Sequence, residues 1–230
     1  MTDVILPVRF TANEGVGHQF DTLMLTPSTS ALLLVDCDAD CGPAGNRVIA
    51  AKISPALRAA RSIGITPIFI YGDGWLPDGV NSRAGEYHRI RRGHPPHQEA
   101  WRPAIPNWTA SIAPRADEPI IGKKAQNAFV GTYLDIYLRS HNINTLLLVG
   151  FSFKSCLFYT SIGAFERNYR VVLLRDGTDP PGTNEFADTV DASLAEGGWV
   201  RTILTRLIED HLGYSSTCTE LIAACGAAYE

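Results

Sequence analysis

Residues 145–150 read Thr-Leu-Leu-Leu-Val-Gly, four consecutive apolar side chains between a polar residue and a glycine. The run is too short for a buried helix and shows no in-out alternation, which is the pattern of a strand covered on both faces. The same pattern recurs at 31–36 (ALLLVD), 65–71 (ITPIFIY), 118–122 (EPIIG) and 170–176 (RVVLLRD). Helical spacing lies between these runs. Val48, Ile49, Ile53, Leu57 and Ala60 follow the first run, Leu134, Ile136, Tyr137 and Leu138 follow the third, and residues 157–165 follow the fourth. Alternating strands and helices predict parallel βαβ units with right-handed crossovers, hence an α/β, doubly wound sheet with helices on both faces. Pro55 interrupts the first helical pattern, so that helix starts or kinks there. A long helix at about 184–211, a short sixth strand near 216–219 and a terminal helix complete the prediction.

A chain of 230 residues fits one domain, and 45% hydrophobic against 19% charged residues excludes global disorder. A net charge of −4 gives no general attraction to phosphate backbones or anionic lipid, so the expected partner is a small molecule, with no nucleic acid and no membrane. No apolar run approaches the roughly 18 to 20 residues of a membrane helix. The first ten residues, with Asp3 and no basic start, do not read as a signal peptide. Five cysteines without zinc-finger spacing suit a reduced cytoplasm. Residues 73–117 carry six prolines, three tryptophans, three histidines and six arginines with little periodicity, which reads as a lid-like insert.

Ligands of doubly wound sheets bind beyond the carboxyl ends of the strands. Three such ends carry reactive groups: Asp36, the pair Lys123–Lys124, and Cys156 within GFSFKSC. Asp36 follows four apolar residues, where an acid is costly unless paired. Cys156 is expected in the first turn of a helix, where the helix dipole and unpaired N–H groups lower a thiol's pKa. Residue type alone does not choose between Lys123 and Lys124. His94 and His97 are separated by Pro95-Pro96, which prevents a helical metal-binding pair, and no metal or cofactor is expected. A papain-like Cys-His pair is a less economical account of the thiol than the neighbouring Lys and Asp. Cys37 and Cys41 are read as small packing residues rather than a redox pair. Arg83, Arg89, Arg91 and Arg92 cluster in the insert with Trp75, Tyr87, Trp101 and Trp108, and an arginine's planar fork suits a carboxylate or ureido group.

Three motifs resemble those of the isochorismatase-like cysteine hydrolases, the superfamily of nicotinamidases, N-carbamoylsarcosine amidohydrolases, ureidoacrylate amidohydrolases and isochorismatases. LLLVDCDAD (32–40) is similar to its first-strand motif, IIGKKAQNAFVGTYL (120–134) to its lysine motif, and GFSFKSCLFYTSIGAFERNYRVVLLRDGT (150–178) to its nucleophile motif, with Thr160, Tyr169 and Asp176 in register. AARSIGITPIF (59–69) is similar to its second crossover. The resemblance implies a Rossmann-like six-stranded parallel sheet of order 3-2-1-4-5-6. It also implies a triad of Cys156 nucleophile, Asp36 acid/base and Lys123 electrostatic stabiliser, Lys123 being selected by its five-residue distance from Ala128. It further implies oxyanion donors at the N–H groups of Cys156 and Ser152, a cis Phe151–Ser152 peptide, and cleavage of a C–N bond in a small amide, carbamoyl or ureido substrate through a thioester. Phe129, Trp75, Tyr87, Arg89, Arg91 and Arg92 are the candidate substrate-binding residues. A homodimer or homotetramer is implied, for which the apolar residues 221–228 are a candidate contact. Three departures stand out. Asp38 and Ala39 occupy positions usually Gln and Asn, Phe153 stands where Thr is usual, and the absence of His between His18 and His88 argues against a nicotinamidase metal site. A hydrolase of another bond type and a catalytically silent binding member are the alternatives.

Overall fold

A computed structural model describes residues 2–12, 17–38, 41–73, 106–180 and 199–226. Eight strands form one sheet: β1 (Val4–Thr11), β2 (His18–Leu25), β3 (Ser30–Val35), β4 (Thr66–Gly72), β5 (Ile120–Lys123), β6 (Thr145–Gly150), β7 (Arg170–Leu174) and β8 (Gly213–Ser216). Their order is β2-β1-β8-β7-β6-β3-β4-β5. Pairings from β5 across to β8 are parallel, whereas β1 pairs antiparallel with both β2 and β8.

The sheet is therefore mostly parallel but two strands longer than the expected six: its parallel strands, β5-β4-β3-β6-β7-β8, follow the order 3-2-1-4-5-6, but the hairpin β1–β2 is added beyond β8, so that order does not describe the whole sheet. The additional strands are a hairpin buried mainly on one side. In β1 only Leu6 and Val8 are buried, alternating with exposed Ile5 and Pro7, and in β2 only Leu25 is buried. Such a ribbon lacks the continuous apolar run that reveals the central strands, and Pro7 reads against a strand.

All six residues of β3 and all six of β6 are buried, and successive residues serve different cores. Leu32, Leu34, Leu147, Val149, Val172 and Leu174 join the helices on one face. Ala31, Leu33, Val35, Leu146, Leu148, Val171 and Leu173 join those on the other. Each leucine buried this way contributes roughly 1.5–3 kcal/mol, so both faces must be covered for the strands to form.

On the first face lie α1 (Gly42–Val48), a π-helical turn (Ile49–Ile53) and α2 (Ser54–Ile63). Pro55 thus sits in the opening turn of α2, where its missing N–H is tolerated, and the chain upstream is already helical. Gly64 ends α2 in the left-handed conformation with φ 89°. The opposite face carries α3 (Leu134–Ser140), then a π-helical turn (Phe153–Leu157) continuing into α4 (Phe158–Glu166). The long helix predicted for 184–211 is described from Trp199: α5 (Trp199–Leu207) runs into a π-helical turn (Ile208–Leu212), while 184–198 lie outside the described residues. The last strand falls earlier than predicted. Thr217 caps α6 (Cys218–Ala224) by accepting from the Glu220 N–H at 3.0 Å, so the chain is already turning into a helix where the strand was expected. Leu221 and Ile222 are buried in the first core rather than presented to a partner.

Of the proposed insert, residues 106–117 are described and dock on the first face. Trp108 meets Phe69 and Tyr71 edge-on at 5.9 and 6.3 Å, Ile112 is fully buried, and Arg61 donates to the Ala113 carbonyl at 3.0 Å. No helix among the described residues is long and apolar enough to cross a membrane.

Where β3 and β6 end, the backbones nearly touch. Gly150 has φ 123°, and a Cβ there would lie 1.9 Å from the Val35 carbonyl oxygen. Gly150→Ala is therefore expected to cost about 3 kcal/mol or more. For a chain of this size that lowers Tm by roughly 6–12 °C. A calorimetric scan showing less than a degree of change would contradict the close approach.

Candidate active site

Asp36 follows directly on β3, with backbone φ 49° and its N–H donating to the Ile70 carbonyl of β4 at 2.8 Å. Non-glycine residues seldom occupy this left-handed region, and aspartate is among those that tolerate it. Oδ2 of Asp36 lies 2.9 Å from the Lys123 ammonium, whereas Oδ1 is buried and has no hydrogen-bond partner among the described residues. Lys123 is the last residue of β5, and its carbonyl is fixed by the Asp73 N–H at 2.8 Å. Its side chain, only 3% exposed, also donates to Cys156 Sγ at 3.2 Å. Lys124 is half-buried and forms no ion pair among the described residues. Of the two adjacent lysines, it is Lys123 whose ammonium meets both Asp36 and Cys156.

Cys156 is buried in the π-helical turn before α4. Three hydrogen bonds among the described residues hold this turn. The Phe153 N–H donates to the Asp179 carboxylate, and the Ser152 carbonyl accepts from the N–H groups of Ser155 (3.0 Å) and Leu157 (3.3 Å). The peptide between Phe151 and Ser152 is cis, and Ser152 Oγ is buried without a hydrogen-bond partner among the described residues. Asp179 lies after the turn that closes β7, and no sequence pattern marks its contact with the Phe153 N–H. Thr160 of α4 accepts the Ala128 N–H at 3.1 Å and donates to the Gln126 carbonyl at 3.5 Å. It therefore fastens the segment after Lys123 to the helix that bears Cys156. Asp176 does structural work instead, accepting the Cys218 N–H at 2.6 Å at the start of α6.

The electrostatics correct one expectation. Burial first, and the Asp36 carboxylate second, push the Cys156 thiol up to about 11, against the pull of the Lys123 ammonium. Position in a helical turn does not lower its pKa, because the sulfur is packed in the second core beside a carboxylate. For Lys123, burial works against the charge, but Asp36 and then Cys156 outweigh it and hold the ammonium above its ordinary pKa. The arrangement is a permanent cation between an acid and a protonated thiol.

Phe129 is buried in the same core as Cys156, stacked on Tyr169 at 5.8 Å with the Arg167 guanidinium 5.0 Å from its ring centre. Cys37 is buried in the first core, and both Cys37 and Cys41 are free thiols. Trp75, Tyr87, Arg89, Arg91 and Arg92, together with Arg83, His88, His94, His97, Trp101 and Ala39, lie outside the described residues.

Comparison with known proteins agrees with this architecture. Among curated proteins, a ureidoacrylate amidohydrolase of Methylobacterium radiotolerans is 25% identical over 222 residues, covering 85% of this chain and 84% of that protein. An N-carbamoylsarcosine amidase of an Arthrobacter species is 28% identical over 148 residues, covering 62% of this chain and 54% of that protein. Among solved structures, a cysteine hydrolase of Pseudomonas syringae superposes with a TM-score of 0.66 at 23% identity, covering 89% of this chain and 96% of the other. The family model described as the isochorismatase domain matches residues 30–203, a span containing Asp36, Lys123 and Cys156. The chain belongs to the isochorismatase family.

Proposed function

We propose that the chain is a cysteine hydrolase cleaving the C–N bond of a small amide, carbamoyl or ureido substrate through a thioester on Cys156. The observation that carries this reading is the Lys123 ammonium, 2.9 Å from the Asp36 carboxylate and 3.2 Å from the Cys156 sulfur. The amidohydrolase and amidase activities named for the two curated relatives support the bond type.

A thiol pushed up to about 11 is not a standing thiolate at neutral pH. By the pKa alone roughly one molecule in ten thousand would carry the anion at pH 7. The nucleophile is therefore made as it attacks. The Cys156 proton passes to Asp36, whose Oδ1 has an unused lone pair, while the sulfur bonds to the substrate carbonyl carbon. Lys123 keeps its charge throughout and offsets the negative charge that moves between sulfur and carboxylate. The N–H groups of Cys156 and Ser152 are assigned to the oxyanion. Asp36 returns its proton to the departing nitrogen, which leaves as an amine or ammonia. Water then adds to the thioester, giving up a proton through Asp36 to the departing sulfur, and the acid product leaves with the thiol restored. The reading extends to a homodimer or homotetramer with no cofactor in a reducing cytoplasm, the last supported by five free thiols.

Incubation with a panel of small amides and ureido acids, followed by mass spectrometry, is expected to trap an acyl adduct on Cys156. Loss of turnover in Cys156→Ala should accompany it, and retained turnover in that variant would overturn the mechanism. Asp36→Asn is expected to move two rates in opposite directions. Hydrolysis should fall by about 10²–10⁴-fold with loss of the acid/base. Alkylation of Cys156 by iodoacetamide at pH 8 should accelerate, because removing the carboxylate's charge lowers the thiol pKa, with about tenfold more thiolate per pKa unit. Slower alkylation would refute the electrostatic account. Thr160→Val strands the buried Ala128 N–H, costing about 1–3 kcal/mol of stability. It should lower kcat more than it raises KM by loosening Lys123 against Cys156, with Thr160→Ser restoring both.

A further inference from the structure

Away from the Cys156 centre, the hairpin β1–β2, the end of β7 and helix α5 border an open pocket of about 410 Å³. Among the described residues it is lined by Arg9, Arg175, Arg201 and Arg206, together with His18, Thr202 and Thr205. No carboxylate among the described residues lines it, and none of its described lining residues belongs to the Asp36–Lys123–Cys156 cluster.

The available countercharge is unevenly shared. Glu209, whose side chain is fully buried, lies beneath the wall: Oε1 accepts from Arg9 Nε at 2.8 Å and from Ser215 Oγ at 2.6 Å. Its Oε2 is 3.3 Å from His18 Nδ1 and 3.8 Å from an Arg206 nitrogen, without a hydrogen bond of good geometry. One carboxylate thus answers two guanidinium groups, while His18 Nδ1 accepts from Arg206 at 2.8 Å. Among the described residues, Arg175 pairs only with the Glu220 carboxylate, at 3.8 Å. Arg201 forms no ion pair among the described residues and donates to the Arg175 carbonyl at 2.5 Å. The surroundings respond as a cationic pocket should. Burial and then, after the opposing pull of Asp176, the Arg175 charge depress the Arg201 pKa, and burial followed by Arg9 depresses that of His18.

Several partly desolvated guanidinium groups with weak anionic partners make a strong field for oxygen-bearing anions, and their planar forks match carboxylate and phosphate oxygens in pairs. The volume falls in the range of small-ligand pockets, roughly 300–1,000 Å³. We infer that this pocket is a second binding site, separate from the Cys156 centre, for a small polyanion held through carboxylate or phosphate oxygens. The imidazole and the two threonine hydroxyls supply the remaining donors.

Isothermal titration of the full chain with inorganic phosphate and with succinate, at ionic strength held constant with sodium chloride, tests this. Saturable one-to-one binding of either probe is expected, phosphate alone pointing to phosphate esters and succinate alone to dicarboxylic acids. Affinity should fall tenfold or more in Arg201→Met. The same loss should follow in Thr202→Glu, which places a negative charge at an exposed wall position and leaves the core untouched. Arg139→Met, on α3 outside the pocket, and Cys156→Ala should bind as the parent chain does. Absence of saturable binding by both probes, undiminished binding in Thr202→Glu, or equal loss in Arg139→Met or Cys156→Ala would each overturn the inference.

Discussion

The fold is organised around one buried ammonium. Lys123 is 3% exposed, and a charge so placed is strongly destabilising unless compensated. Compensation comes from a carboxylate on one side and a sulfur on the other, delivered by separate strand ends. Asp36 comes from the end of β3, Cys156 from the turn after β6, and Lys123 from the end of β5, with β4 lying between β3 and β5. The lysine side chain therefore has to span β4 at the carboxyl edge of the sheet. Only a parallel arrangement brings those three ends to the same edge. The continuous apolar strands, covered on both faces, hold them there with little freedom to separate.

Much of this could be read from the sequence, for identifiable reasons. Runs such as 31–36 and 145–150 announce strands because burial on both faces removes every polar residue between their ends. Asp36 and Cys156 were visible because polar and reactive groups at the ends of such runs break that pattern abruptly. The hairpin β1–β2 escaped because its burial is one-sided and weak, and the last strand was misplaced because the cap at Thr217 competes for the same residues. Asp179 was hidden for another reason. Its contact with the Phe153 N–H joins residues 26 positions apart, and no local periodicity records such a pairing. The pKa of Cys156 was misjudged in direction because the position in a helical turn was legible and the packing of the sulfur was not.

The chain has 16 arginines against four lysines, and the structure gives that imbalance a physical meaning. Arg61 grips Glu118 with two nitrogens, at 2.7 and 2.5 Å, joining α2 to the segment that enters β5. Arg139 and Arg167 lie over the rings of Tyr169 and Phe129. Both uses depend on a flat, delocalised cation. The position between Asp36 and Cys156 asks for something else, a compact point charge at the tip of a narrow stem that can lie across a strand. Arginine cannot replace it without a wider passage.

The near contact of Gly150 with Val35 has a mechanical consequence. Val35 immediately precedes Asp36, Gly150 lies six residues before Cys156, and the Phe151 N–H bonds the same Val35 carbonyl at 2.8 Å. The acid and the sulfur therefore ride on one joint. Twisting or breathing of the sheet edge carries both together, so the separation of carboxylate and thiol is insulated from the slower deformations of the sheet. Efforts to redesign substrate scope would do best to leave that joint intact and vary the walls around it.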